Sequence, residues 1–329
     1  MKIDEVLGID VSKLTLDCHL HRSKVHMVFD NNPGGIAKML EWALESEDKE
    51  NLLIVFEHTG LYSHLLIKSL ASSAYLFQVV PGLDIKRSLG IARGKDDRAD
   101  AKRIALYGYR LREEIMPLRS CSKSLDLLKR LMSMRKKLVV QKAGHMTTLG
   151  EQKRVLDQEE NKTLFQVQKE IIAMLNKQIA QLEKDMDKLI EQGPELRELY
   201  RLLTSVKGIG GVTARFLIVQ TSGFSTFKSW RKFASYCGIA PFPNSSGTSV
   251  RGRTKVSHLA NKEGKTLLNL CATSAIQSNQ EMRAYYERRV REGKNKMSTL
   301  NIIRNKLLAR AFAVVQRGTP YVDTMRYAS

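Results

Sequence analysis

The 329-residue sequence has no long hydrophobic run. Its apolar stretches, such as LLIVF at 52–56 and AFAVV at 311–315, stop far short of the roughly 20 residues that span a bilayer. That excludes a membrane-embedded helix. The opening MKIDEVLGIDVSK enters a strand pattern at once and lacks the charged segment, apolar core and cleavage site of a leader, so a cytoplasmic location is expected. Cysteine is scarce too. Cys18, Cys121, Cys237 and Cys271 lie far apart with no C-x-x-C pair, which argues against a disulfide framework or a structural zinc cluster and leaves free, mostly buried thiols. His19 and His21 share a strand face, but no third ligand stands near them, so no metal is expected there.

Acid is the other shortage. Lys and Arg number 54 against 34 Asp and Glu, a net charge of +20, and the imbalance is uneven. Residues 195–329 hold 23 Lys and Arg against 7 Asp and Glu, a net +16, while residues 1–194 carry only +4. With 43% hydrophobic residues the chain reads as folded and soluble, and a large folded basic segment points to nucleic acid, whose phosphates it neutralises. No basic amphipathic helix with a broad aromatic face supports a membrane surface instead.

The first 80 residues alternate two periods. VLGIDV (6–11), LTLDCHL (14–20) and KVHMVFD (24–30) read as strands, IAKMLEWALES as a helix, NLLIVFE (51–57) as a buried strand, YSHLLIKSLASS as a helix and AYLFQVV (74–80) as a strand closed by Pro81. Three strands followed by helix, strand, helix, strand, helix is the order of the ribonuclease H fold. From 121 to 194 the period is helical throughout. Ile172, Leu175, Ile179, Leu182, Met186 and Leu189 alternate steps of three and four, the pattern of a coiled-coil seam. The narrow stripe favours pairing with another chain, although a helical hairpin within one chain satisfies it as well. The expected divisions are an α/β domain at 1–120, a coiled-coil hairpin at 121–194 and a basic, mostly helical domain at 195–329. In the last, LTSVKGIGGVTARFLI (203–218) has the glycine turn of a helix-hairpin-helix, where Lys207 and the backbone at Gly208 and Gly210 can meet a phosphate.

Against this basic background, ARGKDDRADAKRIA (92–105) gathers three aspartates. A solvated charge run or helix capping would account for them. On a helix, however, Asp97 and Asp100 share the apolar stripe of Ala101, Ile104, Gly108 and Leu111, whereas Asp96 points away and serves as a cap. Inward carboxylates need a cation or a proton. Asp10 in the first strand and Glu57 at the end of the buried strand would come together if those strands are neighbours, and Asp17 or Asp84 could stand in for one of the four. Such hard oxygen donors suit Mg²⁺ or Mn²⁺ and phosphodiester chemistry.

The segments GIDVSK, EHTGLY, GKDDRADAKRIA and CGIAPFPNSSGTSVRG, in this order with a helical C-terminus, resemble the DEDD-type insertion-sequence transposases, a family that includes the pilin-gene invertase and bridge-RNA-guided recombinases. The resemblance runs over nearly the whole chain. It implies a RuvC-like N-terminal domain of ribonuclease H fold, a central coiled coil and a helical C-terminal transposase domain. Asp10, Glu57, Asp97 and Asp100 fall on the family's metal-binding acids, and Ser246 on its serine nucleophile. It further implies donor and target DNA and a noncoding guide RNA as partners, with homodimers that synapse as a dimer of dimers. Two positions depart from the family pattern, His58 after the glutamate and an extra Ser245 before the expected serine. Arg251, Arg253 and Lys255 follow the serine; Arg251 is the candidate for holding the scissile phosphate. The rival readings are a metal-dependent nuclease or Holliday-junction resolvase that uses water, and a non-catalytic nucleic-acid-binding scaffold.

Overall fold

Contacts divide the chain into two units, Met1–Ser120 and Cys121–Ser329. A computed structural model describes residues 3–88, 90, 96–114, 123–246 and 250–323. In the first unit the order is β1 (Glu5–Val11), β2 (Thr15–Leu20), β3 (His26–Asp30), α1 (Pro33–Leu44), β4 (Leu52–Glu57), α2 (His64–Ser72), β5 (Leu76–Val80), α3 (Gly82–Ser88) and α4 (Asp97–Leu111). The sheet order is β3-β2-β1-β4-β5, antiparallel from β1 through β3 and parallel from β1 through β4 to β5. The expected element order holds. Strand β3 starts two residues later than the sequence pattern predicts, because the chain turns with Lys24 in the left-handed region (φ 57°).

Parity divides the sheet's two faces. Leu7, Ile9, Leu52, Ile54 and Phe56 pack with Ile36 and Met39 of α1 and Leu66 and Leu70 of α2. Val6, Leu53 and Val55 pack on the other side with Ile85 of α3 and Ile104 of α4. Burial on both faces explains why β1 and β4 read as nearly continuous apolar runs. Helix α1 begins where Asn32 accepts a hydrogen bond from the Gly35 N–H (2.8 Å) and Pro33 supplies a preset first-turn φ. Helix α4 lies against β1 itself. A β-carbon on Gly8 would overlap the backbone of Ala101 and Ala105, and one on Gly108 would press on Val6 and Val55.

Glu5 is a buried carboxylate with a structural task. It accepts hydrogen bonds from the N–H groups of Val6 (2.8 Å), Arg22 (2.8 Å) and Ser23 (3.0 Å) and from the Ser23 hydroxyl (2.8 Å), which fastens the β2–β3 turn to β1. Burial pushes its pKa up, but these bonds outweigh burial and leave it below the ordinary glutamate value. A depressed folded-state pKa stabilises above the unfolded-state value and ceases to do so as pH falls through the folded one. Glu5→Gln is expected to cost about 2 kcal/mol at pH 7 in urea unfolding, with the gap to wild type closing in acid.

The second unit comprises α5 (Lys123–Val155), α6 (Lys162–Gln192), α7 (Pro194–Ser205), α8 (Gly211–Gln220), α9 (Trp230–Tyr236), β6 (Pro241–Ser246), β7 (Val250–Val256), α10 (Lys262–Ser278), α11 (Gln280–Arg291) and α12 (Lys296–Arg317). Helices α5 and α6 form an antiparallel hairpin, marked by Arg135–Glu183 (2.7 Å), Lys142–Asn176 (3.0 Å) and His145–Gln168 (2.9 Å) across it. The stripe predicted to pair with another chain is turned inward here. Leu175, Ile179 and Met186 are buried within the chain, because α5 supplies a matching row at Leu128, Leu131, Arg135, Leu138, Lys142 and His145. At the base of the hairpin, Leu128 and Met186 join the core of the C-terminal helices, which is built on Leu203, Phe216, Phe233, Ala272, Leu307 and Phe312. The three described cysteines, Cys18, Cys237 and Cys271, are free and buried; burial pushes the Cys237 thiol up to about 12, which keeps it protonated and inert. Among the described residues no helix is long and apolar enough to cross a membrane.

Candidate active site

Three acids lie in one row across the sheet. Asp10 pairs directly with Asp17 on β2. The parallel β1–β4 ladder reaches Ile9 opposite Phe56, so Asp10 and Glu57 follow as the next neighbours at the C-terminal ends of their strands. Gly8 and Val55, two residues earlier, face α4, and alternation puts Asp10 and Glu57 on that same face. Asp17 is tied to the Nε2 of His26 on β3 at 3.2 Å. The sequence offered Asp17 only as a substitute for another acid; its place opposite Asp10 is set by the tight β1–β2 turn, where Ser12 accepts from the Thr15 N–H and meets its hydroxyl.

The first turn of α4 brings the remaining carboxylates. Asp96 is the N-cap and accepts a hydrogen bond from the Arg98 N–H (3.3 Å). Asp100 is partly exposed with Arg103 at 3.7 Å, and Asp97, on the same stripe, is exposed and not buried, since the helix begins there. The buried part of the stripe is Ala101, Ile104, Ala105 and Gly108. Both acids nevertheless act on Asp10. Its carboxyl is pushed up to about 6, first by burial and then by the charges of Asp97, Asp100, Asp17 and Glu57.

Five carboxylates therefore converge electrostatically on one end of the sheet. Among the described residues, no three His, Cys, Asp or Glu side chains stand close enough to hold a metal ion as arranged. The donor chemistry still fits a hard divalent cation: all are carboxylate oxygens, and the repulsion that raises Asp10 is what a cation relieves. Apart from His26, which is bonded to Asp17, the histidines nearby do not join this set. His19 is buried on β2, and His21 stacks on Tyr109 with ring centroids 4.3 Å apart.

In the second unit, β6 and β7 form a hairpin with Ser245 opposite Arg251 and Ser246 opposite Val250. The side chains of Ser245, Ser246, Arg251 and Arg253 lie outside the described residues, as do residues 247–249. Lys255 is exposed on β7 opposite Phe242. The hairpin is anchored at its root, where Asn301 (2.9 Å) and Asn305 (3.1 Å) of α12 both donate to the Ile239 carbonyl. The predicted glycine turn lies between α7 and α8. Gly208 has φ 99°, a conformation that favours glycine, and Gly210 caps α8 without a side-chain hydrogen bond. Lys207 is already engaged, with Nζ 2.6 Å from the Asp323 carboxylate, and the Tyr321 N–H donates to the Ser205 hydroxyl (2.8 Å) alongside. That partner lies more than a hundred residues away in sequence, so local reading had no means of finding it.

Two family models match the chain, one described as Transposase over residues 7–158 and one as Transposase IS116/IS110/IS902 family over residues 200–287, together nearly three quarters of its length. In class, then, the protein is a transposase. It belongs to the IS116/IS110/IS902 family, the insertion-sequence group its motifs resemble. Pilin gene-inverting proteins of Moraxella bovis and Moraxella lacunata are each 27% identical over 324 residues, covering 96% of this chain and 97% of theirs. An uncharacterized 43.6 kDa protein of insertion element IS110 from Streptomyces coelicolor is 30% identical over 154 residues, 47% of this chain and 37% of that protein. Membership makes the protein an enzyme of DNA cleavage and recombination.

Proposed function

We propose that the protein is a DNA recombinase of RuvC-like, ribonuclease H architecture that cuts and rejoins strands through a phosphoserine linkage. Asp10, Glu57, Asp97 and Asp100 would hold Mg²⁺ or Mn²⁺, and Ser246 would be the nucleophile. The observation that carries this reading is the convergence of charge on Asp10 at the ends of β1 and β4 in a chain of this family. A bound divalent ion supplies charge stabilisation for the oxygens of the phosphate under attack. The chain's own residues do the rest. The Ser246 Oγ forms a bond to phosphorus as phosphorus parts from a deoxyribose oxygen; the serine proton leaves and the sugar oxygen gains one. Arg251 would hold the phosphate, with Arg253 and Lys255 beside it, and the turn at Lys207, Gly208 and Gly210 would meet the backbone elsewhere. Because Lys207 is paired with Asp323, that contact requires a phosphate to replace the carboxylate.

The linkage conserves the energy of the broken strand, so attack by a second strand's hydroxyl rejoins DNA and frees Ser246 without ATP. The partners on this reading are donor and target DNA in the cytoplasm and a structured noncoding RNA that specifies both. Protomers assemble as dimers that synapse in pairs. Since the stripe of α6 is buried within the chain, dimer contacts fall on other surfaces. The domains on this reading are the catalytic acids (1–120), a coiled-coil helical hairpin (121–194) and a basic serine-bearing module (195–329).

Incubation with cognate DNA and Mg²⁺, read on a denaturing gel, tests this reading. A protein–DNA adduct is expected that is lost in Ser246→Ala and kept in Ser245→Ala. Free ends without any adduct would identify a resolvase-type nuclease using water, and intact strands would leave only a binding scaffold.

A further inference from the structure

The space beside the Glu57 carboxylate is shaped by a missing side chain. Glu57 ends β4 and pairs with Val80, the last residue of β5, and the His58 N–H donates to the Val80 carbonyl (3.1 Å), so the two strand ends are tied together. The chain then turns at Pro81, and Gly82 opens α3. A β-carbon on Gly82 would fall on the Glu57 carboxylate, overlapping Oε1 and the carboxyl carbon and lying 2.8 Å from Oε2. The carboxylate thus rests directly on the glycine α-carbon. Gly82 is not among the glycines of positive φ, so alanine suits its backbone, and the requirement is one of space alone. Among the described residues, no hydrogen bond or ion pair holds this carboxylate. Packing on Gly82 is what sets its position.

We infer that Gly82 is a positioning residue, whose bare α-carbon seats the Glu57 carboxylate and fixes how it is presented to Asp10 in the acid row. The inference rests on reading that row as a divalent-cation site. A methyl group at position 82 leaves strand and helix in place but evicts the carboxylate, which is the free end of a flexible side chain and yields before the backbone does. Gly82→Ala therefore acts through Glu57, and has nothing left to act on once Glu57 is gone.

A double-mutant cycle on the full-length, chelator-treated protein tests this, with Mn²⁺ binding followed by calorimetry and by the electron paramagnetic resonance of the ion. Gly82→Ala is expected to weaken Mn²⁺ binding about tenfold, the scale seen when residues that orient metal ligands are altered. Its metal-free Tm should stay within about 2 °C of wild type. Glu57→Ala should weaken binding at least as much, and Gly82→Ala/Glu57→Ala should match Glu57→Ala alone. Wild-type affinity in Gly82→Ala, or a further tenfold loss in the double variant, would overturn the inference. Should Gly82→Ala fail to fold, the double variant decides: truncating Glu57 vacates the volume that the new methyl needs, so the double variant must fold and bind like Glu57→Ala, and its failure to do so overturns the inference too. If wild type binds no Mn²⁺, the cation reading itself fails and the inference falls with it. If wild type and Glu57→Ala differ while Gly82→Ala is silent, the cation reading stands and only the role of Gly82 is lost.

Discussion

Asp10→Asn is expected to slow strand cleavage severely and, at the same time, to make the metal-free protein more stable. The carboxyl of Asp10 is held at about 6 by burial and by the charges of Asp97, Asp100, Asp17 and Glu57. A carboxyl whose folded-state pKa lies above its unfolded value favours the fold at low pH and loses that contribution as pH rises through the folded pKa. Between about pH 4 and pH 6 the metal-free protein therefore gives up stability at this position. The full displacement would amount to about 3 kcal/mol, and solvent screening of a partly exposed group reduces it to about 1 kcal/mol. Asparagine keeps the shape and removes the charge, so urea unfolding in the presence of a chelator should show the variant about 1 kcal/mol more stable at pH 7.5 and equal to wild type near pH 4. Activity should fall about a thousandfold, equivalent to roughly 4 kcal/mol of transition-state stabilisation, and Mn²⁺ should no longer raise Tm as it does in wild type. A variant that is less stable than wild type without metal would mean that the carboxylate is spent on a native contact and not reserved for a cation.

The parts of this site that sequence reading reached are those governed by parity and helical period. Asp10 and Glu57 stand at the ends of apolar runs whose buried character already marks central strands, and once β1 and β4 are neighbours their common face follows. The cap role of Asp96 follows from the start of α4 in the same way. What could not be read depends on where one element ends over another. The helical wheel gives the direction of Asp97 but not the fact that α4 begins at this very residue, so a side chain on the inward stripe is left exposed. The pairing of Asp17 with Asp10 depends on the register of a short turn, and the seating of Glu57 on Gly82 depends on two strand ends separated by a helix. The stripe of α6 was legible as a seam, yet its partner was hidden because the matching row of α5 mixes Arg135, Lys142 and His145 with leucines and carries a weaker apolar signal. Polar residues in that row find polar partners across the hairpin, so the seam closes within one chain.

The acids on α4 can reach the acids on the sheet only because the helix lies directly on β1, and a single methyl group should be enough to prevent that. At Gly8 an added β-carbon meets the backbone N and α-carbon of Ala105 and the carbonyl oxygen of Ala101. These atoms belong to a helix that is itself seated through Ile104 and Gly108 against Val6 and Val55, so none of them can rotate away. Relief requires the whole helix to rise, opening the packing around Ile104, or β1 to leave its ladders with β2 and β4. Overfilling a packed core ordinarily costs about 1–3 kcal/mol, and here the obstruction is backbone, so Gly8→Ala is expected to cost about 3 kcal/mol or more in urea unfolding of the full-length protein. The same rise would carry Asp97 and Asp100 away from Asp10 and relax its carboxyl toward the ordinary aspartate range. The contrast with Gly82→Ala is the informative part. At position 82 the neighbour is the loose end of a side chain and stability should barely move, whereas at position 8 the neighbour is a helix backbone and stability should fall steeply. Equal stability for the two variants would mean that α4 does not rest on β1 through Gly8, and the route by which its acids meet the sheet would have to be drawn differently.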